Sequence, residues 1–279
     1  MLTDQTHFYA GEMSELQAIA NANGPRTRQS LSADFHALGV QPGEVLLVHA
    51  SLSSLGWVNG GAVAVTQALQ DVLTPDGTLV MPAHSMDLTD PSGWQNPPVP
   101  ESWWETVRET MPPFDPRTTT TRGMGRIAEL FRTWPDVRRS KHPHSSFAAW
   151  GKYAEFITAN HALPFSLGDG SPLARVYDLN GRVLLLGTDK NTSLHLAEAR
   201  AGQRKVVQVS APMLVNGQQE WVTFDEWDYD DDTFPPVKAA FEASGAVTTG
   251  KVGSATAKLV RQRELVDFAV NWWRTREGE

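Results

Sequence analysis

Short apolar runs bounded by glycine and proline alternate along this chain with segments whose apolar residues recur every three or four positions. Runs of four to seven residues read as buried strands, and the three-to-four spacing reads as helices with one buried stripe. Residues 27–38 form such a helix, opened by Pro25 and Arg26, with Leu31, Phe35 and Leu38 on one face. Residues 39–43 make a turn and 44–50 a buried strand. A helix over 63–73 turns Val65, Leu69 and Val72 inward, Pro75-Asp76-Gly77 stops it, and 78–82 is a second strand. Strand, helix, strand in this order predicts a right-handed parallel βαβ unit.

The same reading places a short helix at 12–20 and further helices at 127–133, 152–160, 171–179, 234–244 and 264–275. Ser171 caps the fourth of these, with Pro172 at its first position. The polar stretch 138–150 ends in a short strand. Residues 182–186 are a strand, and 206–214 with 220–224 form a hairpin around Asn216-Gly217, a strong turn pair. Residues 251–255 read as a loop or short strand. From 83 to 121 seven prolines and three tryptophans (Trp94, Trp103, Trp104) interrupt any period, and a long irregular segment is expected to act as a lid or substrate loop. With no repeat or linker, the expectation is one α/β domain over 1–279: an α/β/α sandwich around a largely parallel or mixed sheet.

Composition narrows the chemistry. The 279 residues contain no cysteine, which removes disulfides, thiolate metal sites and a cysteine acyl-enzyme and suits a cytoplasmic setting. A net charge of −8 argues against a nucleic-acid partner. No apolar run is long enough to span a membrane, and residues 1–6 do not resemble a secretory signal.

The most informative stretch is 187–198, GTDKNTSLHLAE, which follows the strand at 182–186. Asn191 or Thr192 can cap the helix that begins there, and His195 falls about one turn in, a neutral-pH base on a rigid element. Glu198 shares its face at i+3, as a partner or as a solvated charge. The acidic run 225–232 interleaves Trp227 and Tyr229 with Asp225, Glu226, Asp228, Asp230, Asp231 and Asp232, a pattern suited to a polycationic, sugar-like ligand or to a solvated loop. The basic stretch 138–146, helped by Thr118 to Thr121 and the glycine-flanked start at Gly123 to Gly125, can hold phosphates or form a surface turn. His142 and His144 have no third ligand nearby, so no metal site is expected. The loop 49–56 carries hydroxyls and backbone amides suited to a thioester arm, and His84 and Asp87 follow the second strand into the same crevice.

Five blocks in order resemble the aminoglycoside 3-N-acetyltransferase family, whose antibiotic N-acetyltransferase fold is distinct from that of the GNAT enzymes. They are LLVHASLSSLGWVNGG (46–61), GTLVMPAHS (77–85), FDPRTTTTRGMGRIAELFR (114–132), VRRSKHPHSSFAAWG (137–151) and GDGSPLARVYDLNGRVLLLGTDKNTSLHLAEARA (168–201). The resemblance implies acetyl transfer from acetyl-coenzyme A to a cationic amine, without a metal, by a monomer or homodimer. It implies His195 as general base, Glu226, or Asp225 one residue away, as the acid that orients it, and Asp228 as a neighbouring acid; the thioester oxygen, as it becomes negative, then calls for donors from Thr192 or nearby amides. It places the coenzyme against His49, Ser51, Ser53, Thr120, Gly125, Arg138, Arg139, Ser140 and His142. It places Asp87 or Asp90 on the acceptor side, and Asn191, Glu198, Asp225 and Asp230 are further candidates for contact with the acceptor.

Overall fold

Strict alternation along the central strands decides which side chains meet which layer of helices. In β1 (Val45–Ala50), Leu46 and Val48 pack on one face while Val45 and Leu47 pack on the other, as a two-residue period requires. In β5 (Arg182–Leu186), Leu184 and Leu186 divide from Val183 and Leu185 in the same way. A strand apolar on both faces needs cover on both. The computed structural model supplies it. It describes residues 15–16, 18–20, 22–202 and 204–276, so the helix expected at 12–20 lies partly outside the described residues.

The remaining elements, in chain order, are α1 (Arg28–Leu38), α2 (Gly61–Leu73), β2 (Thr78–Pro82), α3 (Trp104–Thr110), α4 (Gly125–Phe131), β3 (Arg138–Arg139), β4 (Phe147–Gly151), α5 (Ala154–Thr158), α6 (Pro172–Asp178), α7 (Ser193–Ala201), β6 (Val206–Val215), β7 (Gln218–Trp227), α8 (Phe234–Ala243), β8 (Thr248–Val252), β9 (Ala255–Arg261) and α9 (Gln262–Arg276). Seven strands form one mixed sheet in the order β3-β4-β2-β1-β5-β9-β8. β1 is parallel to both β2 and β5, and the outer pairings are antiparallel. Leu31, Phe35, Val65, Leu69, Ile127 and Phe131, from α1, α2 and α4, cover one face. Ile157, Leu173, Leu194, Val237 and Val266, from α5 through α9, cover the other. The result is the expected α/β/α sandwich. Among the described residues no helix is long and apolar enough to cross a membrane.

Local rules account for most element ends. Thr27 and Ser30 form a reciprocal capping box at the start of α1. Ser171 caps α6 with Pro172 behind it. Asn216 and Gly217 both take positive φ, 52° and 82°, the conformation a tight hairpin turn demands. The β6–β7 hairpin stands as a separate two-stranded sheet.

Two features depart from expectation. Residues 255–261 form β9, an inner strand of the sheet paired with β5, where a loop or short strand was expected only up to 255. Of its buried residues Ala255, Ala257, Leu259 and Val260, the first two are small and alternate with Thr256 and Lys258, so the apolar signal over its first half is weak. The segment 83–121 contains α3 and is stitched down on two sides. Trp221 Nε1 donates to Arg108 O at 2.7 Å and Gln219 Nε2 to Met111 O at 2.8 Å from the hairpin. From β3, Arg139 donates to the carbonyls of Ala83, Pro116 and Thr119.

β1 also marks the point where the chain changes direction across the sheet, passing to β2 on one side and later to β5 on the other. The carboxyl ends of these three strands, at Ala50, Pro82 and Leu186, therefore open a crevice of the kind that α/β sheets use for ligands.

Gly187, directly after β5, takes φ 64°, and a Cβ there would sit 1.7 Å from Ser54 Oγ and 2.5 Å from Ser54 Cβ. Gly187→Ala is expected to destabilise the protein by about 2–4 kcal/mol, combining left-handed strain with overpacking. Urea denaturation followed by circular dichroism measures this.

Candidate active site

β5 ends at Leu186, and the chain crosses the sheet end before α7 begins. Thr192 occupies the N-cap position of α7 without a side-chain capping bond, and Asn191 Oδ1 takes the Ser193 N–H at 3.0 Å instead. Asn191 is buried, so it shapes the helix start and does not present itself to an acceptor. One turn on, His195 lies against the rings of Tyr229 and Phe234, with centroids at 4.7 and 5.0 Å.

Glu198 decides the chemistry of this imidazole. Its carboxylate, with 1% side-chain exposure, accepts from His195 Nδ1 at 2.9 Å. It also takes Arg204 Nε at 2.7 Å and the Asp230 N–H at 3.3 Å. A carboxylate this deeply buried persists as an anion only with such compensation. With Nδ1–H directed to Glu198, Nε2 is the nitrogen left to exchange protons. In this structure Nε2 faces Asp231 Oδ1 at 3.2 Å, and the Asp231 side chain is 74% exposed.

Glu226 is not the group that orients the base. Both its oxygens accept the Ser166 N–H, at 3.1 and 3.0 Å, and one accepts the Trp227 N–H. Burial raises its pKa above the usual carboxylate value, and the nearby His195 opposes that rise. Glu198, expected on the acceptor or in solvent, takes the orienting position. Asp228 is exposed, its N–H tied to Lys205 O at 2.9 Å. Asp225 is exposed on β7, and its carbonyl receives Phe165 N–H. Asp230 caps the 3₁₀ turn Asp231–Thr233 with its side chain, while its carbonyl takes Thr233 Oγ1 at 2.8 Å.

A groove of about 880 Å³ opens at the carboxyl ends of β1 and β2, ample for an extended small molecule. Of the residues expected on the coenzyme, His49, Ser51, Ser53 and Gly125 line it, and the exposed cations Arg126 and Lys190 stand at its wall. His49 links this groove to the base: its Nε2 accepts the Thr192 N–H at 3.4 Å and lies 3.2 Å from Thr192 Oγ1. Thr192 therefore directs its backbone N–H toward His49, with its hydroxyl against the same nitrogen. Burial, with the charge of His195 adding to it, lowers the His49 pKa to about 3.

The basic stretch does not reach this groove. Arg138 is exposed and pairs with Glu155 at 3.5 Å. Arg139 spends its guanidinium on carbonyls of 83–119 and on Ser146 Oγ at 2.9 Å, and burial lowers its pKa to about 10. Ser140 Oγ, fully buried, lies 2.9 Å from His161 Nδ1. Thr120 is exposed and does not line the groove. Asp87 pairs with Arg122 at 2.6 Å, and Asp90 takes Arg108 in a fork at 2.7 and 2.8 Å. That fork holds the Asp90 carboxyl well below its ordinary pKa. These carboxylates brace the loop.

His142 is fully buried. Its Nδ1 accepts two backbone N–H groups, from His144 and Ser145, and its Nε2 bonds Leu163 O at 3.0 Å. A ring with both nitrogens so used is locked neutral. Burial lowers the pKa of His142, of His144 and of His161, the last to about 4. Among the described residues no group of three histidine or acidic side chains is placed to hold a metal ion.

Sequence reasoning gave no role to Arg126, Lys190 or Arg204 and took Asp231 only as one acid of the 225–232 run. Arg126 follows the quoted glycines and Lys190 lies inside GTDKNT, so both were within sight. Arg204 lies six residues beyond Glu198 on no shared helical face and left no signal.

The family model described as aminoglycoside 3-N-acetyltransferase matches residues 47–274. A prophage-derived aminoglycoside N(3′)-acetyltransferase-like protein, YokD of Bacillus subtilis, is 50% identical over 258 residues, covering 91% of this chain and 95% of the relative. Aminoglycoside N(3)-acetyltransferase III of Pseudomonas aeruginosa is 40% identical over 275 residues, covering 94% and 98%. The crystal structure of YokD superposes with a TM-score of 0.93 at 47% identity, covering 95% of this chain and 99% of that one. A structure of AAC-IIIb with CoASH gives 0.79 at 32% identity, covering 91% and 98%. One of AAC-VIa bound to sisomicin gives 0.82 at 29% identity, covering 91% and 99%.

The buried imidazoles carry a pH dependence of known sign. Their pKa values in the folded state lie below the unfolded value of about 6.5, so between the two the unfolded chain binds more protons and stability falls as pH falls. The effect is absent above about pH 7. Each such histidine removes up to about 1.4 kcal/mol per pH unit below 6.5, until pH passes its folded-state value, about 4 for His161. Urea midpoints are expected to be level from pH 7.5 to 8.5 and to drop steeply from 6.5 to 4.5. A flat profile across the lower window contradicts the assignment.

Proposed function

Because the chain belongs to the aminoglycoside 3-N-acetyltransferase family, we propose that it acetylates the 3-amino group of aminoglycosides from acetyl-coenzyme A, directly in a ternary complex, with His195 as general base. The observation that carries this reading is the His195 imidazole held by the buried Glu198 carboxylate, on a helix whose N-cap residue Thr192 is hydrogen-bonded to the groove residue His49.

Acetyl-coenzyme A supplies an acetyl thioester. The groove accepts its arm against Ser51 and Ser53, and Arg126 and Lys190, whose side chains have no hydrogen-bond acceptor among the described residues, face its phosphates. An ammonium has no lone pair to attack with. One proton leaves the ammonium to solvent; as the neutral amine attacks, His195 Nε2 takes a second proton from its nitrogen while the C–N bond forms and the C–S bond breaks, and returns that proton to the departing sulfur. Glu198 holds the Nδ1–H tautomer and stabilises the imidazolium. General base assistance of this kind contributes about 10²–10⁴-fold. The chain has no cysteine for a thiol acyl-enzyme, in keeping with direct transfer. The acidic segment around Asp231 attracts the polycationic acceptor, and the braced loop 83–121 walls its other side.

Thiol release from acetyl-coenzyme A, measured across an aminoglycoside panel, tests the activity. Release with other amines alone moves the acceptor class, and no release with any amine ends the reading. His195→Ala is expected to lower kcat by about 10²–10⁴-fold with coenzyme affinity retained. Glu198→Gln is expected to lower kcat by at least about tenfold and Glu226→Gln by clearly less. Equal losses, or the reverse order, would show that Glu198 does not support the base. Arg126→Ala and Lys190→Ala are each expected to raise the KM for acetyl-coenzyme A by about three- to tenfold, the loss of one charge-assisted contact, and to leave the acceptor KM unchanged.

A further inference from the structure

With the Thr192 N–H directed to His49, the thioester oxygen needs a further donor as it gains charge, since this electrostatic contact is commonly the largest single contribution to acyl transfer. The structure offers a candidate at the inner end of the groove. His49, the side chain that bonds to the start of the base's helix, is 6% exposed and lines the groove. Burial lowers its pKa to about 3, so at neutral pH the ring carries a single N–H. Nε2 accepts the Thr192 N–H, and an accepting nitrogen carries no proton. The bonding pattern therefore puts the hydrogen on Nδ1. Among the described residues, Thr192 is the group hydrogen-bonded to this ring, which leaves Nδ1–H without a protein acceptor.

We propose that His49 is a catalytic residue, whose Nδ1–H donates a hydrogen bond to the carbonyl oxygen of the acyl donor as the amine attacks. The inference rests on the acetyltransferase reading above and adds to it a named electrophilic partner for the thioester. Position supports it. The acetyl carbon must come to rest beside the amine that His195 deprotonates, and His49 is the groove residue that touches the helix carrying His195. Protonation state supports it as well. A neutral imidazole polarises a carbonyl without placing a second cation next to an arriving ammonium, and the nearby charge of His195 helps keep His49 neutral. His49 transfers no proton: the proton of the amine goes to His195, and the hydrogen on Nδ1 stays where it is. Two imidazoles thus divide the labour, one as base and one as donor, and the Thr192 bond fixes the tautomer of the second.

The test compares His49→Leu, which deletes the donor, with His49→Asn, whose amide N–H falls near the Nδ1 position. His49→Leu is expected to lower kcat by about 10²–10³-fold, while the dissociation constant for free coenzyme A, which has no acetyl carbonyl, changes less than about threefold. His49→Asn is expected to recover at least tenfold of that loss. Parallel losses of turnover and coenzyme A binding in both variants would reduce His49 to a structural role and overturn the proposal. A second measurement needs neither a variant nor activity. Nitrogen-15 chemical shifts of the His49 ring in the free protein are expected to report the neutral Nδ1–H tautomer, and the Nε2–H tautomer overturns the proposal. Wild-type protein that releases no thiol with any amine would instead overturn the acetyltransferase reading, whatever the ring shifts show.

Discussion

A carboxylate with almost no solvent contact cannot be left alone in a protein interior, and the site is arranged around that constraint. Glu198 sits on the inner side of α7 with 1% of its side chain exposed. Its compensation comes from three parts of the chain: His195 one turn earlier, Arg204 just past the helix, and the backbone N–H of Asp230 in the acidic segment. Arg204 in turn donates to Thr233 Oγ1 at 2.7 Å, at the start of α8. Removing one member of such a cluster strands the rest, at a typical cost of about 3–5 kcal/mol. The requirement that satisfies Glu198 therefore also fixes the imidazole tautomer and draws the acidic segment up to the base.

The sheet adds the second half of the arrangement. β1 delivers His49 and β5 leads into α7, and these strands are parallel neighbours in register, His49 opposite Leu185. Residues far apart in sequence, 49 and 192, come into contact because adjacent parallel strands end side by side. The wall of the groove and the start of α7 then meet at the carboxyl ends of β1 and β5, where His49 touches Thr192 one turn before His195.

Much of this was legible in the residues. Apolar runs ending in Ala50, Pro82 and Leu186 marked the three parallel strands, and polar residues just past them marked the crevice. His195 stood out because it follows such a strand within one turn of a helix. The errors came where burial, not pattern, decides. Glu198 and Glu226 are both acids within reach of His195 on paper. The i+3 spacing favoured Glu198 only weakly, and it took the fold to show that Ser166 and Trp227 already claim Glu226. Arg139 belongs to a cluster of cations in sequence, yet a count of charges cannot tell a guanidinium that faces a ligand from one that gathers backbone carbonyls. β9 escaped notice because two of its four buried apolar positions are alanines, whose contribution to an apolar period is small.

The contact between His195 Nε2 and Asp231 also bears on what the enzyme does while it waits. Nε2 is the nitrogen that an amine must reach, and an exposed carboxylate stands 3.2 Å from it. Because Asp231 is an exposed side chain on a single 3₁₀ turn, it can swing aside at little cost, so the approach to the ring is covered by a side chain that an arriving cation would itself attract.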